Sequence, residues 1–324
     1  MRNPLVALLA LLTILSLGTA SRVSQQDAHG VSVVSRPADH RVDISIDGQP
    51  FTSYIYPQSL EKPVLYPIRS ASGAIVTRGY PLEPRPGEHT DHPHHVGHWF
   101  NYGDVNGYDF WGNSSETPAN LKPKTGVIVQ KSITRAAGGD KKGELTVTAD
   151  WIIPDGTVLL HERTQFIFAG APGVRTIDRT TTWTAAKTAV TFNDTKEGAF
   201  GVRVARSLES PGGRYIGSDG KTGDDVWGTR GPWVGLVGDA DSKPITLAIF
   251  NHSSSYGYPT AWHARGYGLF AANPIGRHGY DPQLPVGTLT LQPGKSATFR
   301  FRIVIRDAHL TKEELQKEYD HWMS

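Results

Sequence analysis

The chain has 324 residues, 33 Lys and Arg against 31 Asp and Glu, and no cysteine. That balance leaves no electrostatic footprint for nucleic acid or anionic lipid, and the lack of cysteine excludes a disulfide framework. A chain of this length can bury a core large enough to need neither. Small neutral ligands, sugars among them, are the expected partners.

Residues 1–20 have the order of a secretory signal peptide. Arg2 supplies the positive start, Leu5 to Leu17 the apolar stretch, and Gly18-Thr-Ala20 the small-residue cleavage site. That stretch is shorter than the ~20 residues a membrane-spanning helix needs, and no later segment is long and apolar enough to span. The expectation is export to the periplasm or beyond, as a soluble protein. Residues 21–40 read as a frayed lead-in and 41–306 as one β domain.

Gly (35) and Pro (22) punctuate that domain throughout and favour short strands over helices. Val42, Ile44 and Ile46 alternate with polar residues up to Asp47-Gly48. Leu145, Val147, Ala149 and Trp151 do the same up to Asp155-Gly156. Val158, Leu160, Phe166 and Phe168 share one parity, as do Phe299, Phe301, Ile303 and Ile305. Period-two alternation means one face buried and one wet. The predicted fold is all-β, a large antiparallel β-sandwich, with the supersandwich as one such architecture. Val174 to Trp183 alternates Arg, Ile and Trp with Thr and Asp. Its polar residues line either a cleft or a solvated sheet face.

Between these strands lies a histidine-rich segment. Five of the thirteen histidines fall within residues 89–98: His89, His92, His94, His95 and His98. If residues 94–100 are extended, His94 and His98 face one way, and His95 with Trp99 the other. Pro93 places the strand's start just after it, or the strand at an edge. Three readings stand open. The imidazoles are acid/base groups in a ligand cleft with His92, Asn101, Asp104 and Asn106. Or two or three of them, with Asp91 or Asp104, bind a divalent metal. Or they are structural, stacking on Trp99 and Trp111.

Further along, Lys196-Glu197-Gly198 sits between two predicted strands. Glu197 there is a candidate general base or sugar-hydroxyl acceptor, with Lys196 and Arg203 near it; a surface turn with an ion pair is the competing reading. Trp262-His263-x-Arg265 puts His263 and Arg265 on one strand face, continued by Tyr267, as a ligand wall. Trp227 and Trp233 flank a glycine-rich turn and are candidate sugar platforms. Asn273-Pro-Ile-Gly276 reads as a shaped turn. The chain closes with a predicted helix in 307–324. Thr311-x-x-Glu314 is a capping box, Leu310 a staple for Leu315, and Leu315, Tyr319 and Trp322 share one face.

Asp91-His-Pro-His-His-x-Gly-x-Trp-Phe100 and Gly103-Asp-Val-Asn-Gly-x-Asp-Phe-Trp111 resemble the signature of the PmoA-like family, a domain of unknown function commonly labelled "methane oxygenase PmoA". Phe192-x-Asp-x-Lys-Glu-Gly198, Gly201-x-Arg203, Trp227-Gly-x-Arg-x-x-Trp233 and Trp262-His-x-Arg-x-Tyr-Gly-Leu-Phe-x-x-Asn-Pro274 extend the resemblance over most of the mature chain. The family commonly has Arg-Gly-Leu-Trp where this chain has Val96-Gly-His98-Trp99, so no role of that arginine carries over. The resemblance implies an exported β-sandwich in a carbohydrate context.

The reading that joins these observations is an exported carbohydrate-active enzyme, a glycoside hydrolase or lyase working without an organic cofactor. His94 or His95, with His263, supplies acid/base chemistry and Glu197 the carboxylate. His92, His98, Asn101, Asp104, Asn106, Lys196, Arg203, Arg265 and Tyr267 are the expected substrate contacts. No essential metal is expected. The alternatives are a non-catalytic sugar-binding protein and a metal-dependent enzyme built on His89–His98.

Overall fold

The computed structural model describes residues 29–324, so the expected signal peptide and its cleavage site lie outside the described residues. Two antiparallel sheets face each other. The first has nine strands, in the order Val31–Arg36, Arg41–Ile46, Gln49–Ile55, Val64–Leu65, His98–Tyr102, Gly198–Arg203, Leu269–Asn273, Thr260–Arg265 and Arg230–Gly231. The second has eight, in the order Gly213–Gly217, Trp233–Ala240, Lys243–Asn251, Ser296–Arg306, Val174–Ala185, Val158–Ala171, Lys142–Ile152 and Val127–Ala137. A two-stranded ribbon pairs Val190–Phe192 with Leu289–Leu291. The fold is an antiparallel β-sandwich with one short C-terminal helix. Part of the segment expected as a frayed lead-in is an edge strand: Val31–Arg36 pairs along its length with Arg41–Ile46.

The core lies where the inward parities meet. Phe100 and Phe200 of the first sheet pack on Trp183, Phe299 and Phe301 of the second, with ring centroids 4.8 Å apart for Phe100–Trp183 and 4.7 Å for Phe200–Phe301. Strand Val174–Ala185 turns Thr176, Asp178, Thr180, Thr182 and Thr184 outward and buries Thr181, so its polar row is a sheet face and lines no cleft. Its Arg179 points inward. There Arg179 meets Glu162 (Nη2–Oε1 3.2 Å), whose Oε2 also accepts the indole N–H groups of Trp151 and Trp183. A buried charge is tolerated when paired and hydrogen-bonded in this way.

The helix Lys312–Met323 begins with the expected capping box: Thr311 Oγ1 accepts from Glu314 N, and Glu314 Oε2 accepts from Thr311 N at 2.8 Å. Leu315 and Tyr319 cover Trp233, Ala248 and Phe250 on the outer face of the eight-stranded sheet. Trp233 is therefore core, its indole donating to Gln316 at 2.9 Å, and is no sugar platform. Among the described residues no helix is long and apolar enough to cross a membrane.

Candidate functional site

On the outer face of the nine-stranded sheet, register builds a row across four strands: Trp99 opposes Gly201, Gly201 opposes Ala271, and Ala271 opposes His263. Two small residues between two large rings leave a floor. Gly201 is required there, because a Cβ on it would stand 2.5 Å from the Trp99 indole. Trp99, Trp111, Val96, Tyr66 and Leu269 form a separate apolar cluster on this face.

The histidine segment folds over that cluster. Its strand begins only at His98. Before it, Gly97 has φ +53°, and a side chain there would strike the Leu65 carbonyl. This left-handed residue breaks the parity expected across 94–100. His92 to Pro93 to His94 forms a turn closed by His95 N–H donating to His92 O at 2.9 Å, with proline at its second position. Arg78, fully buried, holds the segment from inside. Its guanidinium donates to the carbonyls of His89, Asp91, His92 and His95 and to Asp91 Oδ1. Asp91 Oδ1 also accepts from Arg203 at 2.8 Å, while Oδ2 lies 2.6 Å from His92 Nδ1. Burial alone would raise the Asp91 carboxyl, but His92 and Arg203 outweigh it and hold the group at about 2.

Four rings then stack: Tyr267 on His92 (5.4 Å, 4°), His92 on His95 (4.8 Å, 2°) and His95 on Trp99 (5.1 Å, 13°). Beside the stack is a cleft of about 320 Å³. Its walls carry His92, His94, His95, Asp109, Trp111, Lys196, Glu197, His263, Arg265 and Tyr267. The four side chains expected to do chemistry, His94, His95, Glu197 and His263, are thus brought together from three separate stretches of chain.

The hydrogen bonds fix two tautomers. Arg203 Nη1 can only donate, so His95 Nδ1, 3.3 Å away, accepts and Nε2 carries the hydrogen. His263 Nδ1 donates to the Lys196 carbonyl at 3.0 Å, which leaves Nε2 as an acceptor. Burial, aided by nearby cations, pulls His94 and His263 down to about 3 and His95 well below its ordinary value. All three are neutral near pH 7. Burial acts oppositely on the carboxyls and raises both Glu197 and Asp109. Glu197 also lies 3.7 Å from Lys196 Nζ. Two buried donors in the walls, His95 Nε2 and Trp111 Nε1, have no protein partner.

Five expected substrate contacts lie elsewhere. His98 points into the sandwich, donating from Nδ1 to Gly201 O at 2.9 Å and accepting from Arg179 at Nε2. Asn101 is buried, its amide donating to Phe110 O. Asp104 accepts from Gly107 N and Asn193 Nδ2, and Asn106 bonds Thr191 N and Ala189 O, so both shape turns. Arg203 is fully buried beneath the cleft, bound to Asp91 and stacked 4.9 Å from Tyr267, so it supports the wall without reaching a ligand. His89 pairs with Glu209 at 3.4 Å. Asp109 and Arg78 were not singled out from sequence. Asp109 stands in the same Gly103–Trp111 run as Asp104 and Asn106, and the one available signal was an Asp two residues ahead of Trp111-Gly112, the spacing of an Asx turn. Arg78 carried none.

The stacked imidazoles bear on metal binding as well. Lone pairs lie in the ring plane, so the nearly parallel rings of His92 and His95 do not converge on one ion. Among the described residues no group of three or more His, Asp or Glu side chains is arranged to hold a metal.

Residues 41–320 match the model of a family of unknown function, DUF6807. The chain belongs to that family. The resemblance to the PmoA-like family is corrected by this match, which covers most of the chain and names a different family. No curated protein matches this DUF6807 chain. Among solved structures, it is similar to a GH36 α-galactosidase from Geobacillus stearothermophilus, at 12% identity and TM-score 0.45, over 86% of this chain and 41% of that one. It is also similar to a galactose mutarotase-like protein from Clostridium acetobutylicum, at 11% identity and TM-score 0.40, over 86% and 98%. A glycoside hydrolase family 97 enzyme from Pseudoalteromonas follows at 10% identity and TM-score 0.35, over 86% and 34%. The chain thus spans about two fifths of the length of the α-galactosidase it matches.

Proposed function

We propose that this protein is a carbohydrate-active enzyme that transfers protons to and from a sugar, with Glu197 as its central acid/base. One observation carries the reading: a carboxyl whose proton affinity is raised by burial stands in a cleft whose other groups are neutral or balanced in charge. Lys196 and Arg265 offset Glu197 and Asp109, so a neutral ligand is favoured. The free groups mix donors (His95 Nε2, Trp111 Nε1) with acceptors (His263 Nε2, the carboxyls), as vicinal hydroxyls require. A volume of about 320 Å³ is at the lower end for small-molecule sites and suits one sugar residue better than a long chain.

The histidines orient; they do not carry the proton. Each would have to become an imidazolium in a buried wall, which its lowered pKa opposes. The chemistry is hydrolysis or elimination and uses no organic cofactor or metal. We place it outside the cytoplasm, on the order of residues 1–20.

The test is turnover of oligosaccharides, aryl glycosides and oxidised sugars by the purified protein and by Glu197→Gln. The expected loss in the variant is about 10²–10⁴-fold, with binding by calorimetry retained. Binding without turnover in the wild type would make the protein a sugar binder. Turnover unchanged in Glu197→Gln would remove Glu197 from the chemistry.

A further inference from the structure

We propose that Asp109 is the second catalytic carboxyl of this cleft, the partner of Glu197 in hydrolysing a glycosidic bond. The inference rests on the acid/base reading of Glu197 and extends it to the reaction type.

The geometry of Asp109 is that of an aimed group. Its backbone is tied on both sides: Asp109 N–H donates to Lys124 O at 2.8 Å, and Gly126 N–H donates to Asp109 O at 2.9 Å. Its Oδ1 accepts from Trp111 N at 2.7 Å and Gly112 N at 2.9 Å. Those bonds fix the carboxyl plane and leave Oδ2 with no hydrogen bond in a residue that lines the cleft. Room for Oδ2 depends on Gly112, where a Cβ would stand 2.5 Å from it. The turn itself needs only Oδ1, so an asparagine would serve it equally. A second observation points to a ligand here. Trp111 Nε1 and His95 Nε2, on side chains nine-tenths or more buried in the same walls, have no protein partner.

The charges around Asp109 assign the roles. It is faced by Lys62 and, with opposite sign, by Asp104, and Glu197 feels its charge within the cleft. Burial raises Asp109 as it raises Glu197, but two backbone N–H groups on Oδ1 favour the ionised form of Asp109, whereas the Glu197 carboxyl has the Lys196 ammonium 3.7 Å away and no backbone donor. Asp109 is therefore the base and Glu197 the acid. Glu197 gives its proton to the glycosidic oxygen as the bond from C1 to that oxygen breaks. Asp109 takes a proton from a water whose oxygen bonds to C1. Water is added across the bond, nothing is oxidised or reduced, and proton exchange with solvent resets the pair.

The experiment compares the full-length wild type, Asp109→Asn, Gly112→Ala and Glu197→Gln on oligosaccharides and on dinitrophenyl glycosides. Asp109→Asn keeps the Oδ1 acceptor, and its melting temperature reports folding. It is expected to lose about 10²–10⁴-fold in turnover on both substrate types. Glu197→Gln is expected to lose as much on oligosaccharides but to recover at least about tenfold on dinitrophenyl glycosides, whose leaving group needs no proton. Gly112→Ala, which moves Oδ2 and removes no acid, should also lose turnover. Carboxyl titration followed by NMR gives a readout free of substrate: removing the Asp109 charge should lower the midpoint of Glu197. Turnover that falls in Glu197→Gln but survives in Asp109→Asn overturns the pair and leaves the role of Glu197 standing. A Glu197 midpoint unmoved in Asp109→Asn overturns the pairing. No turnover by the wild type on any of these sugars overturns the enzyme reading along with it.

Discussion

Replacing Gly201 by alanine places one methyl group against the indole that floors the site. The new Cβ would stand 2.5 Å from two carbons of Trp99 and 3.0 Å from a third, where non-bonded carbons prefer ~3.5–4.0 Å. The indole has to retreat by about 1 Å to restore that spacing. It has nowhere to go: Trp99 is fully buried, stacked on His95 at 5.1 Å and packed edge-on to Trp111 at 5.2 Å. Overpacking of this kind costs about 1–3 kcal/mol. At roughly 2–4 °C per kcal/mol for a large domain, the melting temperature should fall by about 2–12 °C. His95 is displaced with Trp99, so ligand binding should weaken as well. Thermal melts followed by circular dichroism give the first number, and the near-ultraviolet spectrum reports the tryptophan cluster. Trp99→Leu removes the obstructing ring, so the two substitutions together should cost less than their sum. A melting temperature within about 1 °C of the wild type, with an unchanged near-ultraviolet spectrum, would show that Trp99 does not rest on Gly201.

Asp91→Asn should destabilise the protein at neutral pH and not in strong acid. The Asp91 carboxyl is lowered from 3.8 to about 2, so its contribution is present above pH ~4 and is lost as pH falls through about 2. Because Asp91 is partly exposed, the gap at pH 7 should be about 1 kcal/mol after solvent screening, measured by urea unfolding at several pH values; a gap that does not close in acid would refute the assignment. Lys62 is buried, donates to Asn113 O and Oδ1, and is lowered by burial from 10.5 to about 7. The unfolded chain holds that proton longer, so stability should rise between pH 7 and 10.5 by up to about 1.4 kcal/mol per unit. Lys62→Met should flatten this slope, and the same pH dependence in both proteins would mean that Lys62 stays charged when folded.

Much of the fold was legible because its causes are local. The alternation at Val42–Ile46, Leu145–Trp151 and Phe299–Ile305 states which side chains are buried, and antiparallel strands follow from it. Thr311 and Glu314 specify the helix start between themselves. Glu197, His263, Arg265 and the histidines at 92–95 were legible as candidates because polar side chains of those kinds clustered beside aromatic residues. His98 was misread for a particular reason: Gly97 adopts φ +53°, so the strand starts only at His98, four residues after His94, and the parity counted from His94 does not reach it.

The sequence by itself determined the alternation, the turns and the capped helix, since each depends on neighbours a few residues apart. Only the tertiary structure decided which polar groups share the cleft. Gly97 takes its left-handed turn against Leu65, Arg78 gathers carbonyls from four residues of the histidine segment, and Gly201 and Ala271 leave floor space between Trp99 and His263. Arg203 reads like a ligand contact in the chain and becomes a buried support, because Asp91, 112 positions away, supplies its counter-charge. Whether a charged side chain is solvated, paired or aimed at a ligand is set by distant groups that burial brings against it, and a linear pattern does not encode their distances.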